Sequence, residues 1–313
     1  MSFVRRRKFY SIVLLLVAAF LILHDGAQAQ GSNQETQDNS GYALTSLLYQ
    51  TRSGVTLNYV QQGDPNGSVL LFLHGGGDSW HSYDRVYPLI PQRYRVYSIT
   101  LRGHGLSDHP DKGYATADFA GDVLDFLVQK NIRNATLIGH SLGSFVAQKV
   151  VETDSSRIDR LVLIGSGSSI NQSDNDHNEP FKFFATLHDP IPYSFARDFQ
   201  ASTIYAPVPA QNFEIWVAEA QKVSAATLRG IAHDFRSSPD ALKAIHIPTL
   251  VLWGEKDSIF SRTDEDALVH ALPNAKLSVY AETGHALHWE RPNRFVSELL
   301  EFERSSAPQP NQQ

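Results

Sequence analysis

Short runs of consecutive apolar residues recur along this chain, with segments of helical period between them. The runs are Val69–Leu73, Tyr94–Leu101, Ala135–Gly139, Ile158–Gly165, Thr249–Gly254 and Ala275–Tyr280. A strand that is apolar on both sides must be covered on both faces, as in a parallel sheet held between helices. Ala117–Lys130 supplies one such helix, with Phe119, Val123, Phe126 and Leu127 on one side. Leu142–Val151, Thr263–Leu272 and Pro292–Phe302 supply others. Ala43–Gln50 and Val55–Gln61 flank Ser53-Gly54 and predict an opening hairpin. The pattern requires an α/β sheet with helices on both sides.

One stretch interrupts the alternation. Ser166 to His246 separates two strand candidates and is rich in aromatics, among them Phe181, Phe183, Phe184, Tyr193, Phe199, Trp216 and Phe235. A structureless loop of that length is improbable inside a compact domain. Residues 166–246 are therefore expected to form a mostly helical cap. Most of its aromatics should pack its own small core, and some should line a pocket below.

The ends differ from the middle. Arg5 to Lys8 is a basic block, Ile12 to Leu23 is apolar throughout, and Ala27-Gln28-Ala29 offers small residues at alternate positions. That order is the one found in secretory signal peptides, with cleavage after Ala29. The rival, a retained membrane anchor, needs roughly 20 apolar residues to span a bilayer. The expected division is a signal peptide over 1–29, a flexible leader over 30–42, a core over 43–165 and 247–304, and a frayed tail over 305–313. Export to the periplasm or medium follows, with no stable membrane insertion after cleavage. Loss of residues 1–29 removes four basic residues and Asp25, leaving 23 basic and 32 acidic ones. Such an acidic chain is a poor nonspecific ligand for nucleic acid. With no cysteine in 313 residues, disulfides, thiolate metal sites and a cysteine nucleophile are excluded.

The chemistry centres on Gly139-His140-Ser141-Leu142-Gly143, between a predicted strand and a predicted helix. A serine in a sharp strand-to-helix turn is crowded, and glycines two residues to either side relieve the crowding. A serine hydroxyl needs a base to take its proton and an acid to orient that base. His285 follows the last strand candidate, and Asp257 follows the strand before it. Loops after parallel strands share one edge of a sheet, so Ser141, Asp257 and His285 are expected to meet there. Among other histidines, His140 is expected to point away into the turn and His74 to brace its loop, while His104 and His288 are weaker candidates for the base. Glu255 competes with Asp257, and Asp122 and Asp125 are expected to be surface charges on a helix. Attack on a carbonyl creates an oxyanion, usually held by two backbone N–H groups. Leu142 should supply one and Gly76, in His74-Gly75-Gly76-Gly77-Asp78, the other, with Gly77 as the alternative.

Together these motifs resemble the α/β-hydrolase superfamily, closest to its branch of serine esterases, haloperoxidase-like and lactonase-like enzymes with a helical cap. The matching segments are His74 to Trp80, Arg102 to Asp108, Gly139 to Gly143, Gly254 to Asp257 and Gly284-His285. The resemblance implies a mostly parallel eight-stranded sheet flanked by helices, an antiparallel second strand, and a cap between strands six and seven. Relatives that open epoxides or displace halide carry aspartate where this chain has Ser141, which disfavours those reactions. The expected activity is hydrolysis of a small-molecule carboxylic ester or lactone through an acyl-enzyme, without metal or organic cofactor. Hydrolysis of a carbon–carbon bond beside a carbonyl is one alternative, and a slow or non-catalytic ligand receptor is another.

Overall fold

A computed structural model describes residues 43–168, 184, 186–234, 237 and 239–305. The predicted signal peptide, leader and most of the tail lie outside the described residues, as do Phe181, Phe183 and Phe235 of the insertion. The strands are β1 (Thr45–Gln50), β2 (Thr56–Gly63), β3 (Val69–Leu73), β4 (Arg95–Ile99), β5 (Ala135–His140), β6 (Ile158–Ile164), β7 (Thr249–Gly254) and β8 (Ala275–Tyr280). The helices are α1 (Thr116–Gln129), α2 (Leu142–Thr153), α3 (Tyr193–Ser202), α4 (Ala210–Ala220), α5 (Ala225–Asp234), α6 (Pro239–Lys243), α7 (Arg262–Ala271), α8 (Leu287–Glu290) and α9 (Pro292–Arg304).

The strands form one sheet in the order β1-β2-β4-β3-β5-β6-β7-β8. Strand β2 runs antiparallel to both neighbours, and every pair from β4 to β8 is parallel. The continuous apolar runs become strands buried on both faces. Because side chains alternate along a strand, odd-numbered residues such as Leu71, Tyr97, Leu137, Leu163 and Val251 enter one core with α1, α2 and α7. Even-numbered residues such as Phe72, Val96, Ile138, Ile164 and Leu252 enter a second core with α9 and the 3-10 turns after β3.

Helix α1 buries Phe119, Val123, Phe126 and Leu127, the face expected from sequence, and buries Asp122 beside them. Asp122 therefore departs from expectation. It forms an ion pair with Arg102 at 2.5 Å, both groups being almost fully enclosed. Asp125 is also engaged, accepting from the Tyr49 hydroxyl at 2.7 Å and the Arg52 N–H at 2.7 Å. Ser261 caps α7 reciprocally with Asp264, which fixes where the chain turns after β7.

Between β6 and β7, helices α3 to α6 make up the described part of the insertion. Several of its residues rest on loops at the carboxyl ends of the strands. Trp216 of α4 donates from its indole to His81 O at 2.9 Å and stacks on Trp289 with ring centroids 3.9 Å apart. Thr227 of α5 sits against Gly103, where a Cβ would fall 1.9 Å from its hydroxyl oxygen. Phe184 and Trp216 are buried, whereas Tyr193 and Tyr205 are exposed. Among the described residues no helix is long and apolar enough to cross a membrane.

Candidate active site

Ser141 occupies the turn from β5 into α2 with φ 48° and ψ −115°. An L-residue is strained there, and such strain persists only where the surroundings enforce it. They do so here by close approach of backbone. A Cβ on Gly139 would lie 2.3 Å from Gly143 O, and one on Gly143 would lie 2.4 Å from Leu73 O. Both flanking positions therefore admit only glycine. The Gly143 N–H also donates to His74 O at 3.0 Å, which ties this turn to the glycine-rich turn after β3.

Asp257 and His285 meet after β7 and β8. The imidazole Nδ1 lies 2.8 Å from Asp257 Oδ2, and both side chains are essentially inaccessible to solvent. The other carboxylate oxygen accepts from the N–H groups of Ile259 at 2.7 Å and Phe260 at 3.0 Å, so the acid cannot rotate freely. A carboxylate on Nδ1 makes that nitrogen the protonated one and leaves Nε2 as an acceptor. Nε2 is buried and has no hydrogen-bond partner. Gly165, at the end of β6, presses on the ring from the side.

The glycine turn lies over α2. A Cβ on Gly76 would lie 3.9 Å from Leu142 Cβ and 3.5 Å from Ile231 Cδ1, whereas one on Gly77 would face Phe199. Gly76, rather than Gly77, therefore sits beside Leu142. Among the described residues neither the Gly76 N–H nor the Leu142 N–H donates in the hydrogen bonds of turns and loops.

The rival residues are accounted for. His74 accepts the Leu101 N–H on Nε2 at 2.9 Å and donates from Nδ1 to Gly75 O at 2.7 Å, so it braces the turn as expected. Burial pushes its pKa down to about 4. His104 stacks edge-on against it, and burial with that neighbour takes His104 down to about 3. Glu255 is half exposed, with Lys256 Nζ 3.7 Å away. His140 differs from expectation: it does not point into the turn. Its ring packs 4.8 Å from His285 and 4.6 Å from His288, with Asp78 Oδ2 3.8 Å from its Nδ1. Burial lowers the pKa of His140 and, more strongly, that of His288.

Two buried carboxyl groups nearby are absent from the sequence reading. Glu265 of α7 accepts the Ser166 N–H at 3.0 Å, and burial, then the charge of Asp257, raises its pKa well above the ordinary range. Glu290 of α8 receives three backbone N–H groups from two different loops. A capped helix start flags neither: Glu265 reaches Ser166, and Glu290 reaches Tyr205 and Ala206, far away in sequence, although its third partner, Gly284, stands only six residues before it.

Residues 70–299 match the model of the alpha/beta hydrolase family. The chain belongs to that family. It is 28% identical over 272 residues to the non-heme chloroperoxidase CPO-A1 of Kitasatospora aureofaciens, covering 80% of this chain and 97% of that one. It is 26% identical over 267 residues to the sn-1-specific diacylglycerol lipase ABHD11 of Danio rerio, covering 80% and 84%. The solved structure of a putative aryl esterase from Burkholderia cenocepacia superposes with a TM-score of 0.76 at 23% identity, over 83% of this chain and 98% of that one. This alpha/beta hydrolase thus carries the mostly parallel eight-stranded sheet, with its antiparallel second strand, that the resemblance implied.

Proposed function

We propose that this protein is an exported serine hydrolase of carboxylic esters or lactones. The observation that carries the reading is the enclosed Asp257–His285 hydrogen bond, which leaves Nε2 as an unpartnered acceptor on a ring packed 4.8 Å from that of His140, the neighbour of the strained Ser141. Family membership and the esterase among its structural relatives support the same chemistry.

In this mechanism Ser141 Oγ attacks the acyl carbon and its proton passes to His285 Nε2. Asp257 keeps the imidazole in the productive tautomer and stabilises its cation. The carbonyl π electrons move onto oxygen, where the N–H groups of Gly76 and Leu142 receive them. Collapse breaks the bond to the leaving alcohol, which takes the proton from Nε2. Water then attacks the acyl-enzyme, gives its proton to Nε2, and the acid departs as that proton returns to Ser141. A lactone follows the same path with its alcohol still tethered to the acid.

The test is covalent labelling by a fluorophosphonate. Wild-type protein should label and Ser141→Ala should not; equal labelling of the two removes Ser141 from the reaction. Asp257→Asn and His285→Ala should each lower turnover of a short p-nitrophenyl ester by at least about a hundredfold, scaled from triad enzymes. A graded series of esters and lactones then separates these substrates from carbon–carbon cleavage, and absence of turnover on all of them favours a receptor. For export, mass spectrometry of protein recovered from a bacterial periplasm should find a chain beginning at Gln30.

A further inference from the structure

Residues 200–206, the last turn of α3 and the start of its link to α4, bond to three of the four loops that carry the proposed machinery, the Ser141 turn being the fourth. At one end Gln200 Nε2, itself buried, donates to Asp78 Oδ1 at 2.9 Å and to Gly77 O at 3.2 Å in the oxyanion turn. In the middle, Ser202 O accepts from Ser258 Oγ at 2.7 Å, one residue from the acid. Thr203 O accepts the Ala286 N–H at 3.0 Å, one residue from the histidine.

Glu290 closes the far end. Its Oε1 accepts from Gly284 N at 2.9 Å and Tyr205 N at 3.0 Å, and its Oε2 accepts from Ala206 N at 2.7 Å. One carboxylate thus joins the link to the residue before His285. The fit is close: a Cβ on Gly284 would fall 2.7 Å from Tyr205 N and 2.8 Å from Glu290 Oε1.

Attachment of an insertion to its sheet requires contacts somewhere on the rim. It does not require that they fall beside Gly76, Asp257 and His285, and here each lies within a residue or two of one of those groups. We infer that residues 200–206 form a strap that sets the register of the oxyanion turn, the acid turn and the histidine loop, with Glu290 as its positioning residue. The inference rests on the reading of Ser141 and His285 given above. A displacement of a few tenths of an ångström between donor, base and nucleophile affects the transition state far more than binding of a small substrate. The strap should therefore act on kcat and leave KM nearly unchanged.

Glu290→Gln tests this mildly, because it keeps the side chain's length while turning one acceptor into a donor against a backbone N–H. Gln200→Leu cuts the oxyanion end, and Glu290→Ala removes the anchor. Each variant is exhaustively titrated with a fluorophosphonate, and kcat and KM for p-nitrophenyl butyrate are expressed per titrated site. The expected result for Glu290→Gln and Gln200→Leu is a fall of about tenfold or more in kcat per site, with KM within about twofold. Their effects should combine to less than their product, since both release one strap. A purely structural role predicts a lower melting temperature and fewer titratable sites, with kcat per site within about twofold of wild type; that result overturns the inference. Should Glu290→Ala fail to fold, the two milder variants still decide. A wild-type protein that does not label overturns the Ser141 reading and the strap together. A labelled wild type with unaffected variants overturns the strap alone.

Discussion

Gly165 lies so close to His285 that a Cβ added to the glycine would sit 2.6 Å from the imidazole Nδ1, the nitrogen bonded to Asp257. Its backbone is also left-handed, with φ 50°. Gly165→Ala should thus cost about 1–2 kcal/mol in backbone strain and push the ring off its acid. Expected are a lowered melting temperature and a fall in turnover of about tenfold or more. Turnover within twofold of wild type would show that the ring tolerates the intrusion.

The strain at Ser141 yields a comparison between two inactive variants. Alanine keeps an L-residue at φ 48°, whereas glycine is at ease there. Ser141→Gly should be the more stable of the two by about 1 kcal/mol, measured by urea denaturation. Equal midpoints would mean that the turn carries little strain.

Acid should weaken the fold through its enclosed histidines. His74 and His104 hold pKa values of about 4 and about 3, and His140 and His288 are also lowered. Above pH 6.5 they are neutral in both folded and unfolded chains and contribute no pH dependence. As pH falls below 6.5, only the unfolded chain gains their protons, so stability declines until the folded values are reached. Glu265, raised by burial, opposes this over its own range. Each histidine contributes up to about 1.4 kcal/mol per pH unit. His104→Phe should flatten the stability profile between pH 6.5 and 4 by about one such increment, read from denaturation midpoints. An unchanged slope would remove His104 from the effect.

Buried Asp122 should be costly to truncate. Asp122→Ala leaves the enclosed Arg102 guanidinium without a carboxylate, holding only Gly113 O at 2.8 Å, and should destabilise by about 3–5 kcal/mol, while kcat per titrated site stays near wild type. A loss below about 1 kcal/mol would mean that Arg102 finds water or a new acceptor.

Much of the sheet was legible because its signal is local. Thr249–Gly254 and Ala275–Tyr280 are strands over the expected residues, and Val69–Leu73 likewise. The meeting of Asp257 with His285 followed from loop placement alone. Two misjudged residues had usable signals. His140 follows Ile138 by two, so alternation sends it to the even-numbered face with Phe72 and Ile164 rather than into the turn. Asp122 stands three after Phe119 and four before Phe126, on the buried side of its helix. Glu265 and Glu290 had none, since their partners come from other loops and no periodicity encodes that.

The chain leaves the sheet at Ile164 and returns at Thr249, on strands paired as Leu161 with Thr249 and Ile164 with Leu252. Exit and return are thus separated by three residues of strand, about 10 Å along the sheet. Parallel strands need a crossover of a dozen or more residues, and beyond that length the cost of closing the connection grows only slowly with the chain it contains. A foreign segment grafted at this junction would have to replace Leu228, Leu242 and Ile245, which are buried in the same core as Leu137 and Leu163 of the sheet. What such a chimera must bring with it is a Gln200-like amide and the two N–H groups that meet Glu290.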